Sequence, residues 1–184
     1  MLPWDISDER LDAVIQYIKT MAPAVWEGKD KVLGTKLELP ADPFGEVYRH
    51  QAIEKGRKVY HVSAACTQCH RGYATKEEIN NWAKEMNTTV ELGADLYQLK
   101  NQDGEYNYKV LPPDFTYHSL RSITDVPSIV QRLMYGVTGS GMPGWKDVVT
   151  DEELWALAYY VQDLRDTGAD LAKRNALMDK VNKQ

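Results

Sequence analysis

The chain has 184 residues, of which 43% are hydrophobic and 27% are charged, and its formal net charge at pH 7 is -5. This length fits one domain of ordinary size with a smaller attached segment. The acidic balance argues against a general nucleic-acid-binding protein, because no positive field covers the chain.

The N-terminal segment, residues 1–26, begins MLPWDISDERLDAVIQYIKT. It lacks the basic start, the unbroken apolar stretch and the cleavage site of a signal peptide, so we expect a cytosolic chain, a processed chain or part of a longer protein. No apolar run reaches the length of about 18 residues that spans a bilayer, and we expect no transmembrane segment. Residues 27–44 are charged, contain Gly and Pro, and predict a linker.

Residues 45–61 predict a helix that leads to the two cysteines of the chain, which both stand in the pentapeptide CTQCH. A disulfide across so short a loop would add little stability, a zinc site would need two more good ligands, and a redox dithiol would need a βαβ setting. The C-x-x-C-H pattern is instead typical of covalent c-type haem attachment. We therefore predict one haem c, bound through Cys66 and Cys69 to its two vinyl groups, with the His70 imidazole on the iron.

With this motif the chain resembles the class I c-type cytochromes. The resemblance implies a distal methionine from a later loop, and GSGMPGW at 139–145 offers Met142, with Trp145 as a further candidate contact of the cofactor. A methionine between glycines and proline suits neither a helix nor a core, and His/Met ligation raises the reduction potential. The alternatives are His118 as a second imidazole ligand, or an open site. Met134 is more typical of core filler.

An insert at about 73–110 is longer than a minimal cytochrome needs. Thr75 and Glu78 form a predicted capping box for a short helix that ends near Glu85. The stretch LYQLKNQDGEYNYKV then alternates, with Asp103 and Gly104 between its halves, which predicts a hairpin.

Residues 111–122, LPPDFTYHSLRS, predict an ordered loop because proline neighbours are extended. In the cytochromes that the chain resembles, a loop carbonyl beside such a proline accepts the Nδ1–H of the ligand histidine and fixes its ring. Pro112 and Pro113 are both candidates for this role. Arg121 and Arg132 are candidates for pairing with a haem propionate, the alternative being exposed, solvated side chains.

Two further helices are predicted beyond this loop. Residues 125–137 read as a helix capped by Asp125 or Thr124. Thr150 opens a second helix with a capping box, and Gly168 is expected to end it. We expect Trp155 and Tyr160 of this helix to pack toward Tyr60.

The order helix, CxxCH, insert, helix, methionine loop, helix resembles the all-α plan of a monohaem class I cytochrome c over residues 45–168. In that family a glycine followed four residues later by an aromatic, here Gly56 and Tyr60, lets the C-terminal helix approach closely. The tail, residues 169–184, is expected to extend as a helix onto a partner or to fray.

The N-terminal segment resembles the last helix of this domain, since SDERLDAVIQYIKTM aligns with TDEELWALAYYVQDL. In this alignment Leu11, Ala13 and Tyr17 fall on Leu154, Ala156 and Tyr160, and residues 1–4 fall on 142–145. Such a repeat predicts that residues 1–26 end a preceding haem domain, so that the chain resembles the C-terminal portion of a tandem dihaem cytochrome c. Met1 would then match a haem ligand or is simply the starting residue, and an ordinary amphipathic helix is the alternative.

These patterns predict a non-enzymatic protein that transfers single electrons, as a haem subunit of a larger respiratory or oxidoreductase complex. A free soluble carrier, and a haem-based gas sensor or peroxidase-like enzyme, are the alternatives. The expected partners are a redox protein donor and acceptor and a second haem-containing chain or domain on residues 1–26. The resemblance also implies the periplasm or the outer face of the cytoplasmic membrane, where bacteria attach haem c.

Overall fold

The computed structural model describes residues 5–26 and 37–182. The chain divides into two compact units, Met1–Glu38 and Leu39–Gln184. Its described part is mostly helical with one small hairpin, so the all-α prediction is confirmed. Among the described residues no helix is both long and apolar enough to cross a bilayer.

The first unit contains α1 (Asp8–Met21) and α2 (Pro23–Trp26). Ser7 precedes α1 with extended backbone, and Asp8 and Glu9 in the first turn complement the helix dipole. No residue of α1 is buried. Its four apolar stripe residues are between 42% and 51% exposed: Leu11, Val14, Ile15 and Ile18. The predicted match of residues 1–4 with 142–145 lies outside the described residues.

The second unit is built around one long helix. Its helices are α3 (Arg49–Lys58), α4 (Lys76–Glu85), α5 (Val126–Tyr135), α6 (Asp151–Ala169) and α7 (Leu171–Asn182), and its hairpin strands are β1 (Gln102–Asp103) and β2 (Lys109–Val110). Helix α6 packs against α3, α5 and α7. Leu154, Leu157 and Val161 of α6 are each at most 5% exposed, so the apolar stripe read from the sequence is the core.

The predicted linker 27–44 does not act as a linker along its whole length. Residues 27–36 lie outside the described part, but Leu39 already belongs to the second unit. The Trp155 indole N–H donates to the Pro40 carbonyl at 3.1 Å, and the Tyr159 hydroxyl donates to the Asp42 carboxylate at 2.6 Å. This short segment satisfies the polar ends of two buried aromatic side chains, which the composition of the segment did not reveal.

The predicted capped helix starts are confirmed, but α3 begins at Arg49 and not at residue 45. Thr75 and Thr150 both form capping boxes, with Glu78 and Glu153 respectively. Helix α5 is capped by Asp125, whose carboxylate accepts from the Ser128 N–H at 2.9 Å. The hairpin also forms, with Gln102 opposite Val110 and Asp103 opposite Lys109. Its turn is therefore longer than predicted and spans residues 104–108.

The crossing of α3 and α6 is as close as the glycine predicted. A Cβ at Gly56 would overlap the Ala156 carbonyl and lie 2.7 Å from Tyr160 Cβ. The rings of Tyr60 and Tyr160 meet edge to face with centroids 5.5 Å apart, which confirms that pair. Trp155, however, points to Pro40 and not to Tyr60, because it lies on a different face of α6.

Gly168 does not end α6, and that prediction is wrong. The helix continues through Ala169, and Asp170 follows it as the C-cap. A Cβ at Gly168 would lie 2.6 Å from the Thr116 carbonyl carbon. The glycine therefore allows the loop after Pro113 to lie against the helix backbone.

Candidate cofactor site

The CTQCH motif follows α3 through an irregular turn. The helix widens into a π-helical turn at Val59–Ser63, and Ala65 then adopts a left-handed conformation with φ 46°. Such turns are frequent at functional sites, and a left-handed alanine costs roughly 1–2 kcal/mol. Cys66 begins a 3₁₀ turn, and the His70 N–H donates to the Cys66 carbonyl at 2.9 Å. The turn thus holds both thiols and the imidazole on one short loop of chain.

His70 and Met142 line the same cavity, whose volume is about 290 Å³. This volume is at the lower end of the range of about 300–1,000 Å³ that is usual for small-molecule and cofactor sites. Most of the other lining side chains are apolar or aromatic: Pro113, Phe115, Leu120, Ile123, Ile129, Leu133, Val137 and Val161. Arg121, Ser122 and Arg132 supply its polar edge.

The imidazole of His70 is fixed from two directions. Its Nδ1–H points to the Pro113 carbonyl at 3.5 Å, and its ring stacks on Phe115 with centroids 4.9 Å apart and 24° between planes. A proton on Nδ1 leaves Nε2 free to bind a metal. Burial lowers the pKa of His70, with the carbonyl acting in the opposite direction, which favours the neutral ring that can bind a metal. The carbonyl belongs to Pro113, so Pro112, the other candidate for this role, does not make this contact.

The loop after Pro113 is anchored by a buried carboxylate that the sequence analysis missed. Asp114 is 3% exposed and accepts hydrogen bonds from Arg71 at 3.0 Å, from the Tyr73 hydroxyl at 3.1 Å, and from the Thr116 N–H and hydroxyl at 2.9 and 2.7 Å. Burial alone would raise its pKa, but the Thr116 hydrogen bonds and the Arg71 charge lower it below its usual value. Arg71 directly follows His70, and Asp114 directly follows Pro113. The network therefore links the segment that carries His70 to the segment whose carbonyl contacts the His70 ring.

His118, the alternative second ligand, does not line the cavity. Its Nδ1 accepts a hydrogen bond from the Asp114 N–H at 2.9 Å, which places it behind the loop. Met142 and not His118 therefore lines this cavity together with His70.

The loop that carries Met142 is closed by its own backbone. The Val137 N–H donates to the Met142 carbonyl at 3.0 Å, and these two residues form an isolated antiparallel bridge. The Ser140 hydroxyl donates to the Val137 carbonyl at 2.7 Å and accepts from the Met142 N–H at 3.3 Å. Met142 therefore stands at the base of a tight turn that starts where α5 ends.

The remaining candidates divide into two groups. Arg121 and Arg132 line the cavity, where their charges are available to acidic substituents of a cofactor. Trp145 is not among the residues that line it: its backbone N–H donates to the Leu133 carbonyl at 2.8 Å and its side chain is half-buried. A contact between Trp145 and a cofactor therefore stays a prediction. Met134 is 3% exposed in the core.

The competing readings of the cysteines find no support. Packing around the Cys66 thiol raises its pKa to about 12, whereas reactive redox cysteines have lowered pKa values. Among the described residues no cluster of three or more His, Cys, Asp or Glu side chains is arranged to hold a metal ion. Apolar walls, two thiols, a neutral imidazole and a thioether do fit a covalently bound haem.

Comparisons with known proteins agree with this chemistry. The model of the family described as "Cytochrome C oxidase, cbb3-type, subunit III" matches residues 51–161. No curated protein matches the chain. A solved structure from Kuenenia stuttgartiensis, a "reducing HAO-like protein complex", is similar with a TM-score of 0.58 and 22% identity, over 89% of this chain and 64% of that chain. At this identity the likeness concerns the fold, and this chain spans less than two thirds of that relative.

Proposed function

We propose, because the chain belongs to the cytochrome c family described as subunit III of cbb3-type cytochrome c oxidase, that it passes single electrons through a His70- and Met142-ligated haem. The chain is a cytochrome c that carries haem c through Cys66 and Cys69. When bound, the haem supplies the one-electron couple between ferric and ferrous iron.

One observation carries the proposal: His70 and Met142 line the same mostly apolar cavity. A haem iron held by both an imidazole and a thioether would have no open coordination position for a substrate. The proposed role of these residues is therefore to hold the iron, exclude water and raise the reduction potential. Arg121 and Arg132 are proposed to pair with the two propionates at the polar edge.

The test uses the holoprotein with Met142→Ala and, as a matched control, Met86→Ala, since Met86 is 39% exposed. We expect the oxidised native protein and the control to show the weak far-red absorption band of a methionine–ferric haem bond, and neither reduced form to bind carbon monoxide. Met142→Ala should lose the band and bind carbon monoxide. A native protein without the band that binds carbon monoxide would instead indicate a gas sensor or a peroxidase-like enzyme.

The finer part of the proposal concerns partners. We propose that residues 1–26 end a preceding cytochrome c domain, that residues 45–168 with the short segment before them form the monohaem domain, and that the chain is the C-terminal portion of a tandem dihaem cytochrome c. The α1 sequence supports this, because Ser7 and Thr150 both precede their helices with extended backbone, and Leu11 of α1 matches Leu154 of α6. The matched residue of α6 is fully buried, but Leu11 is 45% exposed.

We therefore propose a haem subunit of a larger respiratory or oxidoreductase complex. Because bacteria attach haem c outside the cytoplasm, the proposed location is the periplasm or the outer face of the cytoplasmic membrane. The test compares native protein with Ile15→Glu, which puts a charge in the apolar stripe, and with Gln16→Glu, which puts the same charge on the opposite side of α1. We expect the native protein and the control to purify as an assembly with more than one haem per copy of this chain. Where the preceding haem domain is supplied as a separate chain, Ile15→Glu should give this chain alone with one haem. Monomers with one haem in all three samples would indicate a free carrier.

A further inference from the structure

The hairpin of the insert is bonded to the methionine loop through one residue of that loop, Gly139. The Gly139 N–H donates to the Glu105 carboxylate at 2.9 Å. The Gly139 carbonyl accepts from the Glu105 N–H at 3.0 Å and from the Tyr108 hydroxyl at 2.7 Å. Both polar groups of this backbone unit therefore find their partners in the hairpin turn.

The two backbones also touch on either side of these hydrogen bonds. A Cβ at Gly141 would lie 2.7 Å from the Asp103 carbonyl oxygen, and a Cβ at Gly104 would lie 2.8 Å from the Gly139 carbonyl oxygen. The hairpin turn is closed by its own hydrogen bond, from the Gly104 N–H to the Tyr108 carbonyl at 2.8 Å. The methionine loop is thus held against a preformed turn with no room for a side chain between them.

Gly139 occupies the tip of the turn that ends at Met142. The Val137–Met142 bridge joins the two ends of this turn, so the hairpin and the bridge hold it from opposite directions. Because Met142 ends this turn, a shift of Gly139 would also displace the Met142 sulfur.

We propose that the hairpin is a strap that keeps Met142 in place, with Glu105 and Tyr108 as positioning residues for its sulfur. The proposal rests on the proposed function, in which Met142 is the distal ligand. A thioether is a soft ligand that favours the softer, reduced iron, so a loosened loop releases Met142 first from the oxidised state. The strap therefore raises the reduction potential and closes the oxidised protein to external ligands.

Adjacent tyrosines of the hairpin provide a matched control. The rings of Tyr106 and Tyr108 stack with centroids 6.4 Å apart and 13° between planes. The hydroxyl that binds Gly139 belongs to Tyr108, whereas Tyr106 is 70% exposed. Tyr108→Phe and Tyr106→Phe each remove one hydroxyl from the same hairpin, and only the first removes a bond to the methionine loop.

The experiment titrates the oxidised holoprotein with imidazole and measures the far-red band and the reduction potential for native protein, Tyr108→Phe, Tyr106→Phe and Glu105→Ala. Loss of one hydrogen bond should raise the apparent imidazole affinity about two- to tenfold in Tyr108→Phe. The reduction potential should fall by less than this factor, because a Met142 bond weakened equally in both oxidation states cancels until the oxidised iron loses it. The limit is about 59 mV for a tenfold change. Glu105→Ala should show a larger effect of the same sign, and Tyr106→Phe should match the native protein.

These outcomes distinguish a failure of the proposed strap from a failure of the proposed ligation by Met142. Equal imidazole affinity and potential in Tyr108→Phe and Tyr106→Phe would overturn the strap, as would a loss of thermal stability in Tyr108→Phe with both quantities unchanged. If the native protein itself lacks the far-red band, the ligation by Met142 fails and the strap has no ligand to hold. A native band together with unchanged imidazole affinity in every variant overturns the strap alone.

Discussion

Gly56 of α3 and Ala156 of α6 cross so closely that the backbone of one helix lies where a side chain of the other would be. Glycine inside a helix is less favourable than alanine by about 1 kcal/mol. The crossing reverses this preference, because the space for a methyl group is already filled by a carbonyl that α6 cannot move without losing its own hydrogen bonds.

Gly56→Ala should therefore destabilise the protein despite its better helix propensity. We expect a loss of about 1–3 kcal/mol in the free energy of unfolding, measured on the holoprotein by denaturant titration. Gln51→Ala, at an exposed position of the same helix, is the control and should be neutral or slightly stabilising. A stabilised Gly56→Ala variant would mean that the two helices are further apart than described here.

Asp114→Asn should be strongly destabilising, because it leaves the buried Arg71 guanidinium without its carboxylate. Breaking such a pair from one side costs about 3–5 kcal/mol, and one Arg71 nitrogen, Nε, already has no partner among the described residues. Asp95→Asn is the control, since Asp95 pairs with Lys100 at 3.6 Å while 53% exposed, and should cost under about 1 kcal/mol. Denaturant titration measures both variants. Equal small losses would show that Arg71 and Asp114 are hydrated.

His61 should make the protein less stable at mildly acidic pH. The ring is fully buried, with Nδ1–H donating to the Arg57 carbonyl at 2.8 Å and Nε2 accepting from the Tyr73 N–H at 3.1 Å. Burial lowers its pKa from 6.5 to about 4. Between these values the unfolded chain binds a proton that the folded chain does not, so the free energy of unfolding falls as pH falls.

The expected slope from His61 is up to about 1.4 kcal/mol per pH unit. Unfolding free energies measured between pH 6.5 and 5, above most carboxylate titrations, should show this slope in the native protein and in His50→Gln, whose histidine is exposed. His61→Gln should be less stable overall but should have a flatter dependence on pH. An unchanged slope in His61→Gln would assign the acid sensitivity to another group.

Glu78 should matter more than either cation bound to it. Its carboxylate accepts from Lys180 of α7 at 2.8 Å and from Arg57 of α3 at 3.2 Å, and it also closes the capping box with the Thr75 N–H at 2.9 Å. Glu78→Ala should cost about 1–2 kcal/mol, and Lys180→Ala under about 1 kcal/mol, since exposed ion pairs contribute little. Denaturant titration of the two variants checks this order, which equal losses would contradict.

The sequence by itself determined the kind of cofactor and the capped starts of α4, α5 and α6. Cys66, Cys69 and His70 are adjacent, so their joint meaning is local. The capping residues Thr75, Asp125 and Thr150 act within one turn of their own helices. Gly56 stood out because a glycine in a helix interior requires a packing reason. Each of these features is a short-range pattern with one dominant physical cause.

Only the tertiary structure decided which distant groups meet. Asp114 and Arg71 form an ion pair although they are 43 positions apart in sequence. Pro40 binds Trp155, although the composition of residues 27–44 predicted a linker. Pro113 and not Pro112 contacts His70. Gly168 allows the contact with the loop at Thr116 and does not end a helix. Both outcomes depend on which groups pack together in the folded chain, which the local sequence does not contain. On the methionine loop the hairpin binds the backbone N–H and carbonyl of Gly139, groups that nearly every residue possesses. No sequence pattern predicts such a contact, so the contact between the hairpin and the methionine loop is seen only in the tertiary structure.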